Sequence, residues 1–175
     1  FVTNAPVADL AVVFATVDPT KKMGGITAFL VEKGTPGFSI SRDIAKMGLR
    51  TAPMSELVFE DCYVSAENRL GPEGAGASIF NSSMEWERSC ILASHVGAME
   101  RQLETCVRYT RERQQFGQPI GKFQSVANRI ADMKVRLETA RLMLYKIAWL
   151  KKMGKPAVME AAIAKLYLSE CFVQS

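Results

Sequence analysis

Arg113-Gln114-Gln115-Phe116-Gly117-Gln118-Pro119-Ile120-Gly121-Lys122-Phe123-Gln124 is the long interruption in a second half whose spacing is otherwise helical. Gly117, Pro119 and Gly121 cannot continue a helix, so the stretch is a turn between two of them. Upstream, Leu92, Val96, Met99, Leu103 and Val107 fall on one stripe, with Glu100, Arg101, Glu104, Arg108 and Arg111 off it. Downstream, Phe123, Val126, Ile130, Met133, Leu137, Ala140, Leu144 and Ile147 advance by alternating steps of three and four. That is the seam of a packed helix. Gly154-Lys155-Pro156 predicts its end, and Ala157 to Ser175 reads as a third helix. Short connections make neighbours antiparallel, which predicts an up-down bundle. A stand-alone coiled coil is the rival reading of such a seam. The turn itself carries a guanidinium, several amides and two phenylalanines. A plain connector needs none of these, although a basic residue at a helix C-terminus also answers the dipole.

The first part of the chain has a different period. Leu10–Val17, Ile26–Val31, Phe38–Arg42 and Glu56–Phe59 are short β-rich runs; Gly24-Gly25 and Thr35-Pro36-Gly37 separate the first three, and the last precedes Asp61. Four or more such runs predict an antiparallel sheet or small barrel. The expected fold class is therefore α+β: a barrel-like antiparallel β-domain over 1–73, then part of a helical bundle over 74–175. Gly71-Pro72-Glu73-Gly74-Ala75-Gly76 lacks the Lys-Ser/Thr of a phosphate loop and reads as a flexible lead into helix.

The chain of 175 residues is 48% hydrophobic and 23% charged, ordinary for a globular protein. No apolar run approaches the ~20 residues of a membrane span. The chain starts Phe-Val-Thr-Asn without Met and ends inside a helical pattern, so it reads as a piece of a longer protein, cut at both ends. Cys62, Cys90, Cys106 and Cys171 share no CxxC spacing, and there is one histidine, so no metal site is expected. Residues 1–73 carry 7 Lys+Arg against 9 Asp+Glu, while 74–175 carry 15 against 9. The basic half suits anionic partners such as nucleotides, or is simply solvated helix surface. His95 has no catalytic partner at a telling spacing and reads as a packing or surface residue.

Glu87 and Arg88 are adjacent, ~100° apart around a helix. An Arg beside a carboxylate lowers its pKa, whereas a catalytic base needs the opposite, so spacing alone gives an exposed, solvated pair.

The turn resembles the signature of the acyl-CoA dehydrogenase family of flavoproteins. Met47-Gly48-Leu49-Arg50-Thr51 and Glu56-Leu57-Val58-Phe59-Glu60-Asp61 resemble that family's middle β-domain, with Thr51 and Ser65 departing from its usual Gly and Pro. The resemblance implies FAD as cofactor. Arg113 would meet the pyrophosphate of a neighbouring subunit's FAD, Phe116 would pack near it, and Gln124 would add a polar contact. A guanidinium fork suits a phosphate and an aromatic face suits a heteroaromatic ring. Phe1-Val2-Thr3-Asn4 resembles the family's Trp-Ile-Thr-Asn: Thr3 would bond the flavin and Phe1 would replace the Trp on it. Some members take the α-proton with a Glu immediately before an Arg on this helix, which would make Glu87 the general base and Arg88 the residue organising the site. Most members place the base instead on a loop well beyond the position of Ser175.

The implied reaction is α,β-dehydrogenation of an acyl-CoA thioester. The alternatives are the same reaction on a carrier-protein-tethered acyl or aminoacyl group, or a non-catalytic assembly protein of the same fold. Electron-transfer flavoprotein is the implied electron acceptor, in a homodimer or homotetramer without nucleic acid, in the bacterial cytoplasm or mitochondrial matrix.

Overall fold

The computed structural model describes all residues, Phe1–Ser175. The chain divides into two compact units, Phe1–Asn81 and Ser82–Ser175. No helix is long and apolar enough to cross a membrane.

The first unit holds two open antiparallel sheets of three strands, and no barrel closes. One sheet has the order β1 (Val2–Thr3), β5 (Met54–Phe59), β4 (Phe38–Asp43). The other has β2 (Leu10–Thr16), β3 (Ile26–Glu32), β6 (Arg69–Leu70). β2 and β3 pair without a slip from Leu10↔Glu32 to Thr16↔Ile26. Val31 and Ala28 of β3 are buried in the core. Val13, Phe29 and Val31 of one sheet and Phe59 of the other line a cavity of about 430 Å³. Phe38 and Phe59 stack across β4 and β5 at 4.9 Å. Buried Ser55 donates to Asp43 at 2.8 Å where β4 bulges.

The Gly71–Gly76 segment is not the loose lead its composition suggests. Gly74 N–H donates to the Thr27 hydroxyl at 2.9 Å, and a Cβ at Gly74 would lie 2.5 Å from the Gly24 carbonyl oxygen. A Cβ at Gly76 would lie 2.8 Å from the Ile26 carbonyl oxygen. These glycines allow close backbone approach at the start of β3 rather than freedom of movement.

α1 (Gly76–Glu112), which belongs to the second unit from Ser82 on, leads through a hairpin to α2 (Gln124–Lys152) and α3 (Val158–Gln174). Both predicted stripes face inward. Leu92, Val96, Met99 and Leu103 of α1 meet Met133, Leu137, Ala140 and Ile147 of α2, with Ala164, Leu168 and Cys171 of α3 closing the core. A core shared by three helices excludes the stand-alone coiled coil. Polar ties lie outside it: Arg141 to Glu100 at 2.7 Å and Lys146 to Glu160 at 3.3 Å. Each has one exposed partner, Glu100 and Lys146, so solvent screens both pairs and their contribution is small. His95 packs edge-on to Phe172 at 4.8 Å, a packing role.

Candidate active site

In the second unit, α1 carries two carboxylates whose surroundings set them apart. Glu85 and Glu87 are two residues apart, hence ~200° around the helix. Ser89 and Leu92 are buried, and Glu85 shares their inward side. Its carboxylate receives Lys151 Nζ at 2.5 Å and the Ala157 N–H at 2.8 Å, with side-chain exposures of only 13% for Glu85 and 16% for Lys151. The same ammonium lies 4.5 Å over the Trp86 ring. The Lys151 hydrogen bond, then the Ala157 N–H, hold the Glu85 carboxyl below its ordinary value of 4.5, against burial, which pushes it up. A carboxylate so engaged is a poor proton acceptor.

Glu87 and Arg88 are exposed and form no ion pair with each other or with any other residue. Of the two carboxylates on this turn, Glu87 is the one that no ion pair or side-chain hydrogen bond engages. Trp86, Ser89, Cys90, Leu144, Ala148 and Lys151 line an apolar cavity of about 520 Å³ between α1 and α2, and neither Glu87 nor Arg88 is among its lining residues. Sequence reasoning singled out Glu87 and missed Glu85, because the backbone partner of Glu85 lies 72 residues away. The available signal was the Glu's place one turn ahead of Ser89 and two ahead of Leu92 on the core stripe.

The Arg113–Gln124 turn is built on a two-residue hairpin. β7 (Gln114–Gln115) pairs with β8 (Gln118–Pro119), with Gln115 opposite Gln118. At the tip Phe116 and Gly117 both have positive φ, 53° and 76°. Such tips favour Asn-Gly, so a phenylalanine there is out of pattern. Phe116 is 91% exposed, with only an edge contact to Phe123 at 6.1 Å. Arg113 is exposed and unpaired by its side chain; its carbonyl accepts the Ile120 N–H at 2.8 Å, closing the hairpin base. Gln124, first residue of α2, is also exposed. Arg113, Phe116 and Gln124 thus share one small projection. Glu87 stands about 26 residues back along α1, or roughly 39 Å at helical rise.

In the first unit, Phe1 and Thr3 lie at and on edge strand β1, both exposed, Phe1 at 85%. Thr3 pairs with Met54, and Asn4 N–H donates to the Pro53 carbonyl at 2.7 Å.

Residues 1–62 match the family described as acyl-CoA dehydrogenase, middle domain, and residues 74–175 match acyl-CoA dehydrogenase, C-terminal domain. The chain is 49% identical over its full length to an L-prolyl-[peptidyl-carrier protein] dehydrogenase of Serratia sp. (strain ATCC 39006), covering 45% of that protein. It is 45% identical over 97% of its length to a short-chain-specific acyl-CoA dehydrogenase of Megasphaera elsdenii, covering 44% of it. Among solved structures, the prolyl acyl carrier protein oxidase AnaB superposes with a TM-score of 0.96 at 56% identity, covering 99% of this chain and 46% of AnaB. PigA with FAD and proline superposes at 0.96 and 48% identity, over 100% of this chain and 46% of PigA. The chain spans about half the length of the curated relatives it matches.

Proposed function

This chain belongs to the acyl-CoA dehydrogenase family, and from that premise we propose that the whole protein is an FAD-dependent dehydrogenase of a thioester, with a prolyl group tethered to a carrier protein as substrate. The observation that carries the chemistry is the contrast on α1: Glu85 is engaged, and Glu87 two residues later is free. Glu87 takes the proton from the α-carbon, which the thioester carbonyl has made acidic. Hydrogen bonds to that carbonyl stabilise the charge that develops as the proton leaves. Arg88, next to the base and unpaired, organises the site.

The residues present fit FAD. Arg113 offers an unengaged guanidinium to a pyrophosphate, and Phe116 presents an exposed ring on a backbone already fixed. Gln124 adds a polar contact. Thr3 would hydrogen-bond the flavin, and Phe1 would give it an aromatic face without the indole donor of a Trp. FAD, when bound, supplies a hydride acceptor for the β-carbon. The separation of roughly 39 Å along α1 keeps the hairpin from serving the same centre as Glu87 of its own chain. The hairpin therefore reaches the cofactor of a second copy, in a homodimer or homotetramer. Electrons leave to an electron-transfer flavoprotein.

The carrier-tethered substrate is supported by identity: 49% to an L-prolyl-[peptidyl-carrier protein] dehydrogenase and 56% to a prolyl acyl carrier protein oxidase. The 45% identity to a short-chain acyl-CoA dehydrogenase supports a CoA thioester as the second reading. The intact protein should be mixed anaerobically with prolyl-loaded carrier domain and, separately, with butyryl-CoA, while flavin absorbance is followed. Bleaching by the prolyl carrier is expected. Bleaching by butyryl-CoA alone selects the second reading, and a protein that stays colourless after FAD addition is a non-catalytic relative. Glu87→Gln should stay yellow and fail to bleach; full activity would move the base elsewhere. Arg113→Ala should release FAD and loosen the oligomer together.

A further inference from the structure

The group at Glu85 joins three helices at one carboxylate. It sits on α1, receives Lys151 from the last turn of α2 at 2.5 Å, and receives the Ala157 N–H at the start of α3 at 2.8 Å. Ala157 is the N-cap of α3 and provides no side-chain cap of its own, and Glu85 accepts that residue's own N–H from another helix. Lys151 is further fixed over the Trp86 ring at 4.5 Å.

Within the unit Ser82–Ser175, the buried residues of α1 begin at Ser89 and the apolar core at Leu92. Ser89 bonds only to carbonyls of its own helix, Glu85 and Trp86. Leu92 lies about 10 Å along the axis from Glu85. The turn that carries Glu87 has no fully buried apolar residue in this unit; its apolar contact there is the half-exposed Trp86, beside Lys151, Leu144 and Ala148. Glu85 is its inward polar hold, and Glu87 points ~200° away.

We propose that the Glu85–Lys151–Ala157 joint is a positioning device that sets the rotation of α1 and so aims Glu87 at the α-carbon of the substrate. Glu85 and Lys151 are positioning residues, not catalytic ones: neither touches the reacting atoms. The proposal rests on Glu87 being the base. A rotated or tilted turn would misplace that base, and a displacement of ~1 Å can cost about a hundredfold in rate.

The test uses the intact flavoenzyme and the thioester it turns over, prolyl-carrier domain or butyryl-CoA, protonated or deuterated at the α-carbon. Glu85→Gln, Lys151→Met, Lys151→Arg and Glu87→Gln are compared by FAD content, melting temperature and anaerobic flavin-reduction rate at saturating substrate. Glu85→Gln and Lys151→Met should keep FAD and a near-normal KM but reduce flavin about tenfold or more slowly, with a larger α-deuterium isotope effect. Lys151→Arg should recover most of the rate. A merely structural joint would lower the melting temperature and leave the rate per bound flavin and the isotope effect unchanged. That result beside an inert Glu87→Gln overturns the positioning role and leaves the base assignment standing. Wild-type activity in Glu87→Gln overturns both. If Glu85→Gln fails to hold FAD, the Lys151→Met and Lys151→Arg pair decides on the same readouts.

Discussion

Phe116 is held where a phenylalanine gains little for itself. Left-handed backbone costs an L-residue roughly 1–2 kcal/mol, and asparagine tolerates it better. The ring is 91% exposed, so burial returns almost nothing. Its edge contact with Phe123 at 6.1 Å is worth at most about 0.5–1.5 kcal/mol. Phe116→Asn relieves the first term and loses the second. The two are of similar size and opposite sign, so stability should stay within about 1 kcal/mol of wild type in urea unfolding. The cost should appear in FAD binding, weakened by about tenfold if the ring supplies one ordinary aromatic contact to the cofactor. Unchanged FAD affinity in the intact oligomer would remove Phe116 from the cofactor site.

Among the elements, what repeats locally was readable and what pairs at a distance was not. Every member of the α2 seam from Phe123 to Ile147 is buried or half-buried, because steps of three and four mark one side of a helix whatever it packs against. The strands were readable for a similar reason: their β-rich runs end at Gly and Pro turns. Closure into a barrel was not readable, since it depends on pairing between strands far apart in sequence, and the two sheets remain open. The glycines of Gly71–Gly76 looked like freedom because composition cannot show that another backbone runs 2.5–2.8 Å from where the Cβ atoms of Gly74 and Gly76 would be. The hairpin residues were legible through a motif, whereas the Glu85 joint has no motif at all. That joint also has a signature in pH. A carboxylate whose folded pKa lies below its ordinary value, 4.5 for Glu85, stabilises the fold above that value. The contribution is lost as pH falls through the folded pKa. Glu85→Gln keeps an acceptor for Ala157 and removes the charge. The wild type should therefore exceed the variant in melting temperature by a constant margin above about pH 5, with the margin closing below about pH 4. A margin that persists undiminished in strong acid would show that the ion pair with Lys151 does not stabilise the fold.

On the scale of the whole molecule, the helical unit is a layer with one face satisfied. α3 buries Ala161, Ala164, Leu168 and Cys171, yet Met159, Ile163, Leu166 and Val173 form a second apolar stripe away from them, all exposed. α2 likewise leaves Val135, Leu142, Tyr145 and Trp149 exposed along one side. A helix apolar on both sides is built to be covered on both. Contiguous exposed surface of this kind beyond a few hundred Å² marks an interaction face or an aggregation hazard. The relatives extend over about twice the length of this chain, so they have further polypeptide available to cover such a face. The 175-residue chain expressed by itself should therefore bind 8-anilinonaphthalene-1-sulfonate strongly and self-associate at micromolar concentration, and the intact protein should do the former weakly. Charged replacements at two stripe positions, Ile163→Lys with Leu166→Glu, should restore a monomer of the short chain, since both side chains lie away from the buried residues of α3. If further polypeptide covers the stripe in the intact protein, the same pair there should destabilise it or disrupt its assembly. A short chain that sediments as a dye-silent monomer, or an intact protein indifferent to the double replacement, would show that this face needs no cover.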